Sequence, residues 1–108
     1  MSKSTDINRM MLQIDQVIKN INHDTLNPEI PVVCMKDLEP VFQLVAKTRT
    51  TYLKEFFDIA KLTDELPSDA QIERLSRLRG SYDEMVSASQ ALMTAIERGY
   101  LDVEGEIG

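Results

Sequence analysis

The chain's single histidine, His23, sits beside Asp24 in "NHDTLNPEIP". Histidine is the side chain best suited to proton transfer or metal binding near neutral pH. A zinc site needs further donors at suitable spacing, and no second histidine or cysteine pair accompanies this one. The Glu-x-x-His pairs of a four-helix di-iron centre are also missing. His23 therefore reads as a solvent-exposed loop residue, and neither a metal nor any other cofactor is expected. Cys34, the only cysteine, has apolar neighbours in "PVVCM" and reads as a small buried hydrophobe rather than a reactive thiol. Ser87 and Ser89 in "SASQA" have no histidine base in their own segment, and Ser89 reads as a small residue that permits close packing. A glycine-rich phosphate loop, a Gly-x-Ser-x-Gly elbow and a Walker pattern are all absent from the sequence. These absences argue against an enzyme.

Cationic groups remain. "RLSRLR" brings Arg74, Arg77 and Arg79 together, but Glu73 interrupts the run and Asp83 and Glu84 follow. No basic stripe with interleaved aromatic residues results, so direct nucleic-acid binding is not expected. The arginines read as a solvated face forming pairs three and four residues apart. Arg49 is different, because its neighbours on a helix would be apolar. An unpaired guanidinium there needs a carboxylate, backbone carbonyls or an opening to water. It is either a structural ion pair or a snorkelling side chain, or else an interface arginine that reads an acidic or carbonyl group on a partner.

The elements that must position these groups are helices. Ile7, Met10, Ile14, Val17 and Ile21 alternate steps of three and four, widened by Met11 and Ile18, and predict a helix over about residues 5–22 laid on a core. Leu12 falls on the other side. Pro28 and Pro31 break the pattern, and "IPVVCM" reads as an extended piece with no second strand to pair with. A second helix is predicted over about 39–62, with Pro40 in its first turn. Pro67 stops the chain before a third helix over about 69–98, capped by Ser68 or Asp69 and ended by Gly99. Gly80 lies inside it and predicts either a kink or a close backbone approach. The acidic tail "YLDVEGEIG" should fray, with Tyr100 and Leu101 able to pack.

The fold class expected is all-α: a single domain over residues 1–108, built as a long antiparallel helical hairpin with a shorter N-terminal helix. With Phe56 at zero and about 100° per residue, Val41 and Ile59 fall at about −60°, Tyr52 at about −40°, Phe42 at about 40°, Leu53 at about 60° and Phe57 at about 100°. Arg49 lies inside this arc of roughly 160°, which is wider than one neighbouring helix covers. A second copy of the chain is the simplest cover, so a helical-bundle homodimer is expected. Arg49, Tyr52, Leu53, Phe56 and Phe57, with Arg79 and Tyr82 on the third helix, are the candidate protein-interface residues. Tyr52 and Phe56 fit the seam with the chain's own helices. Phe57 is the first choice for contact with another chain.

The net charge is −6, and it grows toward the C-terminus: residues 1–36 are neutral, 37–67 carry −2 and 68–108 carry −4. This disfavours general attraction to nucleic acid or anionic membranes. A lone cysteine, no signal-peptide pattern and no long apolar run point to a soluble cytoplasmic protein, with no membrane association. The six methionines read as core filling or as an adaptable surface for partner helices.

The helix start "KDLEP", the connection "TDELPSD" and the end "ERGYL" give a layout over about residues 37–101 that resembles small bacterial antiactivators that sequester LuxR-type quorum-sensing regulators. The resemblance implies a dimer that blocks a regulator's DNA-binding or dimerisation surface. It carries no individual residue's role with it. The expected function is a non-enzymatic interaction module that binds and sequesters another protein. A structural or chaperone-like subunit of a larger assembly is the alternative.

Overall fold

The computed structural model describes residues 3–62 and 64–105. In chain order they form α1 (Lys3–Leu26), β1 (Val32–Val33), α2 (Met35–Leu62), α3 (Asp69–Glu97) and β2 (Asp102–Val103). The all-α reading holds in its coarse form, since three helices dominate. Thr63 of the connection before α3 and residues 106–108 of the acidic tail lie outside the described residues. The chain divides into two compact units, residues 36–92 and residues 1–35 with 93–108.

In the unit of residues 1–35 and 93–108, α1 runs a turn past its expected end. Pro28 restricts Asn27 but leaves Leu26 helical. Asn27 N–H donates to the His23 carbonyl at 2.9 Å and Ile30 N–H to that of Leu26 at 2.8 Å, closing the end. The extended piece does find a strand partner, contrary to expectation. β1 pairs in parallel with β2, Val32 against Asp102 and Val33 against Val103, and Glu104 N–H donates to the Val33 carbonyl at 3.0 Å. The partner lies within the tail expected to fray, so residues 102–104 are held rather than loose. Val33 and Leu101 are buried.

Gly99 ends α3 as its sequence position suggests. Its φ is 76°, its N–H donates to the Ile96 carbonyl at 3.1 Å, and Tyr100 N–H reaches back to that of Ala95 at 2.8 Å. That pair of bonds is a Schellman cap, which needs a left-handed residue at this position.

In the unit of residues 36–92, α2 begins at Met35, four residues before the expected start, so Pro40 lies beyond the first turn. The rung it removes is among the first of the helix, bonding to Lys36, and the helix continues. Asp37 stands in the first turn, where a carboxylate favours the helix N-terminus. At the start of α3, Gln71 N–H donates to Ser68 Oγ at 3.2 Å and Ser68 N–H to Gln71 Oε1 at 2.8 Å. This reciprocal capping box selects Ser68 over Asp69 as the cap. α3 passes Gly80 as unbroken helix, and a Cβ built there meets nothing within 4 Å. No close approach by a neighbouring element of this chain occurs there.

Candidate interaction surface

The α2 arc divides into a covered half and an uncovered half. Ile59, at about −60° on the wheel, is 6% exposed and is the one buried residue of α2. Val41, Val45 and Tyr52 share that half and are half-buried. At about 0° to 100° the residues turn outward: Phe42, Leu53, Phe56 and Phe57 are all exposed, Phe56 at 55% and Phe57 at 61%. Phe56 thus departs from expectation. It lies on the uncovered half with Phe57, because α3 meets α2 on the −60° side and not at the centre of the arc.

Tyr52 and Tyr82 bring α2 and α3 together. Their rings stack with centroids 6.1 Å apart and planes at 21°. The Arg49 guanidinium lies over the Tyr82 ring, 5.4 Å from its centroid, and Arg49 Nε donates to Tyr82 Oη at 3.2 Å. The side chain is exposed, so the guanidinium keeps its hydration while its stem crosses apolar surface. Among the described residues no carboxylate forms an ion pair with Arg49. Arg49 is thus an exposed cation supported by the Tyr82 ring.

Arg74 Nε reaches Glu55 Oε1 at 3.0 Å, tying α3 to α2. This pair joins two helices, whereas the arginine run was expected to pair along its own helix. Arg79 is exposed and lines a groove with Tyr52, Ile72, Leu75 and Ser76. A second groove, on the α2 surface, is lined by Thr50, Leu53, Lys54, Phe57, Asp58 and Lys61. Lys54 Nζ pairs with Asp58 Oδ2 at 3.0 Å, and Lys61 lies 6.0 Å from the Phe57 ring centroid. The structure therefore gathers all seven candidate interface residues into the unit of residues 36–92. Five of them, Arg49, Leu53, Phe56, Phe57 and Arg79, are exposed, while Tyr52 and Tyr82 form the half-buried support.

A polar cluster in the other unit was not anticipated. His23 lies in the last turn of α1, half-buried, rather than in an exposed loop. Its Nε2 stands 3.1 Å from Asp102 Oδ1, and Asn27 Nδ2 donates to Asp102 Oδ2 at 2.9 Å. The Asp24 carboxylate is 3.7 Å from His23 Nδ1. The cluster tethers β2 to the end of α1, a partnership across 79 positions that spacing along the sequence cannot reveal. Among the described residues no group of three or more histidine, cysteine, aspartate or glutamate side chains is placed to hold a metal ion. Cys34 is half-buried rather than fully buried.

Among the described residues, no helix is long and apolar enough to cross a membrane. No protein-family model matches the chain, and no curated protein or solved structure matches it either.

Proposed function

We propose that this chain is a non-enzymatic helical interaction module. It forms a homodimer through the outer half of the α2 arc and acts as a small cytoplasmic regulator that binds and sequesters a protein partner, such as a transcription regulator. One observation carries the reading. Phe42, Leu53, Phe56 and Phe57 are exposed along one helix face, and large contiguous apolar surfaces of this kind mark interaction sites. The pairs Arg49–Tyr82 and Glu55–Arg74 join rising positions on α2 to falling positions on α3. That order supports the antiparallel hairpin that would present this face. Arg49, exposed within this face, supplies a cation, and arginine is enriched where binding energy concentrates.

Light scattering after size exclusion tests the dimer, which should run at twice the chain mass at micromolar concentration. Phe57→Glu should convert it to soluble monomer, because a buried unpaired carboxylate is costly. A wild-type monomer, or a Phe57→Glu variant that stays dimeric, would refute the α2 interface. Affinity capture from the native cell tests the regulator reading through the identity of the captured protein. The second reading, a subunit ordered within a larger assembly, is favoured by the exposure of apolar residues on all three helices. It predicts that the chain made alone is poorly soluble.

A further inference from the structure

The α2 reading leaves the His23 cluster unused, and that cluster lies wholly in the unit of residues 1–35 and 93–108. The ring stands between two carboxylates. Its Nε2 is 3.1 Å from Asp102 Oδ1 on β2, and its Nδ1 is 3.7 Å from Asp24 Oδ1 at the end of its own helix. The first distance is that of a hydrogen bond; the second is too long for one but short enough for charge attraction. Asn27 Nδ2 holds the other oxygen of Asp102 at 2.9 Å and lies 3.4 Å from His23 Nε2. Lys19 of α1 lines the cavity beside the ring, together with Asp102. Among the described residues, the charged groups around the ring are therefore Asp24 and Lys19 from α1 and Asp102 from β2.

A neutral imidazole cannot serve both carboxylates, because it carries one N–H and one lone pair. With the proton on Nε2, the ring donates to Asp102 and turns its lone pair toward Asp24. With the proton on Nδ1, the lone pair faces Asp102 and the bond between α1 and β2 is gone. The doubly protonated ring presents an N–H to each carboxylate. It also sets a positive charge between two negative ones, opposed only by the ammonium of Lys19. Histidine takes up this second proton between about pH 8 and 5, where aspartate is ordinarily still ionised.

We infer that His23 is a proton-responsive clasp on β2: protonation of its ring tightens the hold of α1 on β2, and with it the β1–β2 pairing. The closed clasp favours the protonated ring, and opening parts the ring from Asp102. By linkage, closure is favoured as pH falls through the histidine range and weakened as it rises. The side chains of His23 and Asp102 are 33% and 54% exposed, so solvent screens the pair and the response is small.

Amide exchange at Glu104 reads the clasp, because its N–H bonds to the Val33 carbonyl across the strand pair. Exchange is followed by NMR on the full chain at about pH 5.5 and 7.5, on either side of the histidine range. Each rate is divided by the intrinsic rate of a free amide at that pH. Protection at Glu104 should be about threefold higher at the acid pH, in keeping with a part-exposed charge pair. The Tyr52 amide, inside α2 of the other unit, should show no such rise. His23→Gln keeps a neutral donor but cannot gain a charge, and should abolish the rise at Glu104; Asp102→Asn should diminish it. Equal protection of wild-type Glu104 at the two pH values would overturn the inference. So would a rise that persists in His23→Gln, one undiminished in Asp102→Asn, or one that appears equally at Tyr52, since the response would then belong to another group or to the whole fold.

Discussion

Replacing Gly80 by alanine should stabilise the protein. Gly80 lies in the interior of α3, about 200° around the helix from Leu78, and so faces away from Leu78, Tyr82 and Met85. A Cβ built there has open space, with nothing within 4 Å. No steric term offsets the difference in helix propensity, which is about 0.8–1 kcal/mol in favour of alanine. Much of that gain comes from the smaller conformational freedom of the unfolded chain. For a domain of this size, 1 kcal/mol corresponds to roughly 4–8 °C in Tm. The comparison is a pair of thermal melts by circular dichroism at one fixed protein concentration, because self-association makes Tm depend on concentration. A urea titration should show a higher midpoint at unchanged slope. A lowered Tm, or a change in mass by light scattering, would refute the reasoning. It would mean that another molecule's backbone stands against Gly80, where a methyl group cannot fit.

Two further substitutions probe the unit of residues 1–35 and 93–108. Gly99→Ala should cost about 1–2 kcal/mol, the penalty of a left-handed conformation for a residue with a Cβ. The added atom would stand 2.9 Å from Lys19 Cε, but that flexible side chain can swing aside, so the backbone term dominates; an unchanged Tm would contradict it. Asp102→Ala removes the carboxylate that meets His23 at 3.1 Å and Asn27 at 2.9 Å. These groups are partly solvated, so the loss should be about 1 kcal/mol for the pair of contacts. It should appear as faster amide exchange at Glu104, whose N–H bonds to Val33, by about fivefold if opening is local. Unaltered exchange there would show that the β pairing holds without the tether.

Local signals settled much of this architecture. The three-and-four spacing of Ile7 to Ile21 and of Val41 to Ile59 made helices readable, because a helix face is defined by its own period. Ser68 or Asp69 and Gly99 marked the ends of α3, because capping bonds are made within a few residues of each end. The width of the α2 arc likewise indicated that one neighbour could not cover it. The division of that arc into covered and uncovered halves was not readable, since a broad apolar face says nothing about which part a partner helix meets. Phe56 went to the open side for that reason. The strand in the tail was hidden as well: a two-residue pairing has no period of its own and depends on residue 33 meeting residue 103. The His23–Asn27–Asp102 cluster has the same origin, in a contact between groups that are distant along the chain. The sequence by itself determined the helices and the apolar faces they carry, because both follow from periodicity and capping chemistry close at hand. Only the tertiary structure decided which of those faces stay open, because burial depends on where distant segments come to rest.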